Sequence, residues 1–249
     1  MLQIYPRYRY LANRLARPES FINRVRVIPD LDNNRFVVIP EFDNYKNGQE
    51  FRATLTDEGK EVAQASTMTD GGTVVLSIKK PKTWSPQDPF LYDLVFELME
   101  NDKPVDKVKS YAGLRKIHLA GNKIYLNNKP IFLRFVLDQG FYPDGVWTAP
   151  SDEALKQDIE LSMKVGFNGA RLHEKIFEER FHYWADKLGY LTWGEFPDWG
   201  IPRTYNKPMA WVNLTREWRE EILRDFNHPS ILTWTPCWTR ACQQTNPKR

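Results

Sequence analysis

Arg171, His173, Glu174 and Glu195 carry the side chains most able to do chemistry, and they stand at the ends of two short apolar runs, Asn168–Leu172 and Tyr190–Trp193. Carboxylates, a guanidinium and an imidazole brought together can bind hydroxyls, carry protons or hold one another in place. Between the two runs, Phe177, Phe181, Trp184 and Leu188 recur on one face of a helix, and Gly189 stops that helix. Two strands joined by a helix in so few residues are expected to be parallel neighbours. The carboxyl tips of parallel strands are where α/β folds place their sites. Asp138 ends an earlier run, Ile131–Leu137, and would reach the same edge. Trp147 and Trp199 fall in loops expected on that face, where each ring could stack on a sugar. Plainer readings stand beside these. Arg171 could make a salt bridge at the strand ends, Glu195 could be a solvated loop acid, Asp138 could close a turn, and both tryptophans could pack their own loops.

The elements that must position these residues follow from pattern. Ser151 is a helix cap, Asp152 and Glu153 fall in the first turn, Leu155, Ile159 and Met163 form an apolar stripe, and Gly166 ends the helix. Trp211, Leu214, Trp218 and Ile222 mark a third helix, and Ile231–Thr235 a fourth strand. From residue 129 to 236 the order is βαβαβαβ, which predicts the first half of a (β/α)8 TIM barrel, about four strands. The stretch before it is different. Glu19–Ala112 holds about seven short strands: Phe21–Ile28, Arg35–Phe42, Phe51–Thr56, Glu61–Met68, Thr73–Lys79, Phe90–Met99 and Val105–Tyr111. Turn residues punctuate them roughly every ten positions, as in an immunoglobulin-like β-sandwich. Lys80–Pro89, with three prolines, reads as a loop, and residues 113–128 read as a hinge. The fold class expected is a multidomain β plus α/β protein. Residues 1–18 form an extension that fits no periodic template.

Composition narrows the function classes. Aromatic residues make up 14% of the chain and tryptophan occurs nine times, which excludes a disordered chain and suits sugar binding. The net charge is +3. Arg7, Arg9, Arg14 and Arg17 precede the first acid, Glu19, and Arg240, Lys248 and Arg249 follow Thr239. The middle is therefore net acidic, and the basic excess of the ends does not indicate nucleic acid. No run approaches the ~20 apolar residues of a membrane helix. Both cysteines, Cys237 and Cys242, lie at the end, so disulfides are not expected to hold the body together. His118, His182 and His228 show no metal-ligand spacing with acids or cysteines, and no metal or cofactor is expected.

Several motifs, taken together, resemble glycoside hydrolase family 2, which includes β-galactosidases, β-glucuronidases and β-mannosidases. They are Gly-Leu-Arg at 113–115, Leu-Asn-Asn-Lys-Pro at 126–130, Ala-Asp-Lys-Leu-Gly at 185–189 and Asn-His-Pro-Ser-Ile at 227–231. The Asp-Gln-Gly-Phe-Tyr-Pro-Asp-Gly loop at 138–145 belongs to the same pattern, and the resemblance spans roughly Glu19 to Pro236. It implies a retaining glycosidase acting on a carbohydrate through two carboxylates, an acid/base and a nucleophile. It also implies site roles: Arg171 resembles the family's arginine of strand two, Glu195 its glutamate of strand three, and His173 a sugar-contacting histidine displaced by one position. Glu174 occupies that histidine's usual place.

The chain departs from the family at the decisive point. After Trp234-Thr235-Pro236 the family pattern calls for Asn-Glu, but Cys237-Trp238-Thr239-Arg240 follows, and no Asp or Glu occurs after Asp225. Residues 237–249 form a basic tail off the pattern. Reading-frame changes or truncations around an intact middle would produce such ends. Two functions are expected from this. One is a family 2-like glycosidase chain without its acid/base and nucleophile, inactive alone. The other is a non-catalytic carbohydrate-binding or interaction module. The outer strands of a half barrel would be open edges, which predicts self-association.

Overall fold

Alternation of buried and exposed side chains runs along the first strands and accounts for how they pack. The computed structural model describes residues 18–197 and 208–235. Residues 1–17, Trp199 and the tail from residue 237, for which the sequence raises expectations, lie outside them. The described residues form two units. The first comprises those up to Ser85 with Phe90–His118 and Tyr125–Lys129, and the second comprises Pro86–Pro89, Leu119–Ile124 and those from Pro130 on.

In the first unit the strands are β1 (Phe21–Asp30), β2 (Arg35–Asp43), β3 (Glu50–Asp57), β4 (Lys60–Met68), β5 (Val74–Ser77), β6 (Tyr92–Glu100) and β7 (Lys103–Ala112). One sheet has the order β1-β2-β5 and the other β4-β3-β6-β7. Val25, Val27, Phe36 and Val38 from the first sheet meet Phe51, Leu55, Leu94, Phe96 and Leu98 from the second in one apolar core. Each of these strands turns every second side chain inward, so a shift of one residue would expose the whole set. The hairpin turns are tight. Glu58-Gly59 and Asn101-Asp102 both have positive φ at their two central residues, the geometry that matches strand twist. Buried Asp106 on β7 accepts the backbone N–H of Ile22 on β1 at 3.0 Å, beside a bulge at Ile22/Arg24. The expected loop Lys80–Pro89 carries two strands of two residues each, Trp84–Ser85 and Asp88–Pro89.

The stretch expected as a hinge carries structure of its own: β8 (Ile117–Ala120), β9 (Lys123–Leu126) and β10 (Lys129–Ile131) make a small sheet. Asn127-Asn128, both with positive φ, form the turn between the last two.

The second unit is built on four strands, β11 (Phe135–Asp138), β12 (Gly169–Leu172), β13 (Leu191–Glu195) and β14 (Ile231–Thr235). All three neighbouring pairs are parallel, and the spatial order is the chain order. Helices α1 (Asp152–Lys164), α2 (Glu179–Leu188) and α3 (Pro208–Asp225) lie between them in sequence. Ser151 caps α1 by accepting from Ala154 N–H at 3.2 Å. Asp152 then ties α1 to α2, accepting from Arg180 at 2.7 and 2.6 Å and from Trp184 Nε1 at 3.0 Å. Gly189 ends α2 with φ 75°. A side chain there would strike the Pro86 carbonyl, 2.4 Å from the Cβ position.

Three local expectations differ from the structure. Met163 is exposed, so the buried face of α1 is Leu155 and Ile159 alone. Phe177 precedes α2 rather than opening it, although it is buried with Phe181 in the unit's core. The run Ile131–Leu137 is not one strand. Asn168 takes over its backbone, accepting from Arg134 N–H at 2.7 Å and donating to Phe132 O at 2.8 Å. That leaves Phe132 77% exposed and delays the strand to Phe135.

Candidate functional site

The parallel register decides which side chains share the carboxyl edge. Asp138 pairs with Leu172, Leu172 with Gly194, and Glu195 with Thr235. His173 and Glu195 therefore lie one step beyond the level of Asp138 on the two neighbouring strands, and Arg171 one step behind that level. Gly194 permits this close approach, since a Cβ there would lie 2.7 Å from Trp234 Cδ1.

Glu195 is the centre of the cluster and is 1% exposed. Arg171 Nε donates to its Oε1, and its Oε2 lies 2.7 Å from His173 Nδ1. Arg171 Nη2 lies 3.3 Å from the same Nδ1. An ionised carboxylate can only accept, and its contact is the shorter of the two, so Nδ1 is best satisfied as an N–H donating to Glu195, leaving Nε2 as the ring's other polar atom. A buried carboxylate with both oxygens bonded to cation and imidazole is a fixed anchor. The picture of Glu195 as a solvated acid does not hold. Trp193 Nε1 adds a bond to Thr235 Oγ1 at 2.8 Å, fixing β13 to β14.

Asp138 does what the plainer reading expected. Its Oδ1 accepts Gly140 N–H at 2.8 Å and closes a turn. Burial pushes its carboxyl above the usual range, and Gly140's N–H works against that. Gly140 itself, at φ 61°, has no room for a side chain: a Cβ would stand 2.8 Å from Lys175 Nζ and 2.9 Å from Phe177 Cζ.

Beside the cluster lies a cavity of about 350 Å³ lined by Gln139, Phe141, Trp147, His173, Glu174 and Pro197. That volume is at the small end of ligand sites. Trp147 stacks on Phe141, with centroids 6.0 Å apart and planes 28° apart. Both rings are more than half exposed, so neither is spent on core packing. Trp147 and Glu174 thus come together with His173, whereas Arg171, Glu195 and Asp138 do not line the cavity.

Sequence reasoning missed the residues that hold this wall in place. Lys175 is 7% exposed. Its Nζ donates to Gly140 O at 3.0 Å and to Trp147 O at 2.9 Å, and stands 3.5 Å from Glu178 Oε2. It also lies over the Phe177 ring at 4.8 Å. Glu178 Oε1 accepts Ala149 N–H at 3.3 Å. One ion pair therefore grips the aromatic loop at three backbone points.

A second buried network lies around the Asn-His-Pro turn. His228 Nδ1 is 2.6 Å from Asp186 Oδ2, and Asp186 Oδ1 accepts Ser230 N–H at 2.9 Å. Arg224 donates twice to Asp225, at 2.6 Å each, and once to Phe177 O at 2.7 Å. His182 Nε2 lies 3.6 Å from Asp225. Burial lowers the His182 pKa to about 4. Burial also opposes a charge on His228, but Asp186 outweighs it and raises that imidazole. Among the described residues no three His, Cys, Asp or Glu stand together as a metal site, and no helix is long and apolar enough to cross a membrane.

A tied arginine–glutamate–histidine knot thus stands at parallel strand tips, next to an aromatic-walled cavity. The comparisons with known proteins are more particular. Residues 20–115 match the model for "Glycosyl hydrolases family 2". The chain is 26% identical over 249 residues to a β-galactosidase of Pseudoalteromonas haloplanktis, covering 90% of this chain and 24% of that protein. It is 32% identical over 161 residues to a putative β-glucuronidase of Formosa agariphila, covering 64% and 19%. Its fold is similar to a solved β-glucuronidase from Ruminococcus gnavus in complex with D-glucuronic acid, with TM-score 0.78, 24% identity, and 88% and 37% of the two chains covered. A β-D-glucuronidase structure from Dictyoglomus thermophilum gives TM-score 0.74 at 25% identity, over 87% and 38%. The chain is thus glycoside hydrolase family 2-like, and it spans a quarter or less of the length of those two curated relatives.

Proposed function

We propose that this chain carries the sugar-orienting part of a family 2 glycosidase site, in a protein that hydrolyses O-glycosidic bonds. On this reading the first unit is the immunoglobulin-like sandwich, residues 113–128 join it to the next domain, and residues 129–236 are the first four βα units of a (β/α)8 barrel. The observation that carries the reading is the exposed Phe141–Trp147 stack walling a small cavity at the carboxyl ends of the parallel strands. Flat rings suit the apolar face of a pyranose, and polar groups beside them meet its hydroxyls. Arg171 and Glu195 hold His173 from behind, and His173 reaches the cavity. Asp138 supports from behind through its turn, and Trp199 is a further candidate for stacking.

Sugar binding tests the reading. Saturation-transfer NMR should show contact between a methyl β-hexoside and the chain's aromatic protons. Trp147→Ala should weaken that binding about tenfold, the loss of ~1.4 kcal/mol of ring contact. Lys175→Met should weaken it similarly without touching sugar, because the loop that carries Trp147 loses its grip. Absence of any hexoside binding at millimolar concentration would refute the proposal.

The second reading is a carbohydrate-binding or interaction module with no hydrolytic role, and it is favoured by the engagement of both Glu195 oxygens, by Arg171 and by His173. Self-association through the outer strands β11 and β14 belongs to either reading. A clean monomer in sedimentation at high concentration would count against it.

A further inference from the structure

We infer that Val146 is a positioning residue, whose strained backbone makes the place of the Trp147 ring depend on the grip of Lys175. That Trp147 meets a sugar rests on the proposal above, and the inference deepens it by naming what holds the ring. Val146 has φ 55°. A β-branched residue strongly disfavours that left-handed region, so the conformation persists only where contacts impose it. The Val146 side chain is 62% exposed, so its own packing is not what imposes it. The backbone around it is. Tyr142 and Val146 exchange both N–H···O bonds, at 2.9 and 3.0 Å. Thr148 N–H donates to Gly145 O at 3.0 Å, in a turn so close that a Cβ on Gly145 would stand 1.9 Å from Thr148 O.

The two ends of this small loop are fixed differently. Tyr142 is buried and belongs to the unit's apolar core. The far end is held by its backbone instead: Lys175 donates to Trp147 O at 2.9 Å, and Glu178 accepts Ala149 N–H at 3.3 Å. The Trp147 ring, more than half exposed, rests on Phe141. Without that grip, Val146 would relax toward the extended region and carry Trp147, the next residue, off Phe141. Val146 and Lys175 thus oppose one another, one loading the loop and the other holding it. A ring fixed beforehand binds without the cost of ordering it, so the same opposition sets the affinity for a stacked ligand.

The test uses the 249-residue chain labelled with 5-fluorotryptophan, the Trp147 resonance being the one lost in Trp147→Phe. Lys175→Met should move or split that line and weaken binding of methyl β-D-glucopyranoside about tenfold. Val146→Gly and Val146→Asn accept the left-handed backbone. In the Lys175→Met background each should return the line to its parent position and bring affinity within about twofold of the parent. Val146→Thr, as branched as valine, should restore neither. Should Lys175→Met not fold, Glu178→Ala, which removes the Ala149 anchor, carries the same comparison. A Val146→Gly that rescues nothing, or a threonine variant that rescues as well as glycine, overturns the inference. If the fluorine spectra show the rescue but no hexoside binds, the opposition of Val146 and Lys175 stands and the sugar-site proposal alone falls.

Discussion

Incubated with a nitrophenyl β-galactoside or β-glucuronide, the purified 249-residue chain should release no nitrophenol above the buffer rate. Retaining hydrolysis needs two carboxylates ~5–5.5 Å apart, one to protonate the leaving oxygen and one to attack the anomeric carbon. General acid catalysis alone contributes about 10²–10⁴-fold. Among the described residues, the carboxylates at the strand tips do not supply such a pair. Glu195 has both oxygens engaged, by Arg171 and by His173. Asp138 is committed to Gly140. Glu174 reaches the cavity, but one carboxylate cannot act as acid and nucleophile at once. Steady turnover that disappears in Glu174→Gln or Glu195→Gln would show that the chain has assembled a site from these groups after all.

Asp186→Ala should be the most destabilising single change in the second unit, by about 3–5 kcal/mol. Asp186 is fully buried. Its removal strips the partner from His228 Nδ1 and from the Ser230 N–H together, and both sit out of water. Asp186→Asn keeps an acceptor for one of them and should cost less than half as much. The two histidines also give a pH signature. His228 has a raised folded pKa, so its contribution is full below the ordinary histidine value of about 6.5 and fades as pH rises above it. His182 has a lowered pKa, about 4, so its contribution is full above about 6.5 and fades as pH falls toward 4. Chemical denaturation across pH checks both limbs. In Asp186→Ala the alkaline loss should vanish while the acid loss remains. An Asp186→Ala protein as stable as the parent would show that water replaces the carboxylate.

The tip cluster was legible in the sequence because its members are neighbours along the chain or sit at corresponding ends of adjacent strands. Arg171, His173 and Glu195 needed only the strand–helix–strand pattern and the parallel register to come together. Lys175 and Glu178 were not legible. A lysine in His-Glu-Lys-Ile-Phe looks like a solvated one until the loop around Trp147 is seen folded over it. The histidines hid for a related reason. His228 and Asp186 are 42 residues apart, so no local spacing linked them. The run from Ile131 to Leu137 has the composition of one strand. Asn168, more than thirty residues later, decides where its ladder begins.

The order β11-β12-β13-β14 follows the chain. Each strand therefore finds its partner across a single helical crossover, and no pairing waits for a distant segment to arrive. Loop closure is short at every step, which favours rapid, progressive formation. A sheet of this kind grows the way a zipper does. The first pair makes the template, and each later βα unit docks only on the one before it. Amide exchange should follow that gradient, slowest in β12 and β13, which are paired on both sides, and faster toward β11 and β14. Lengthening or shortening such a sheet disturbs one neighbour at a time, so its inner strands can keep their tip geometry whatever stands at the margin.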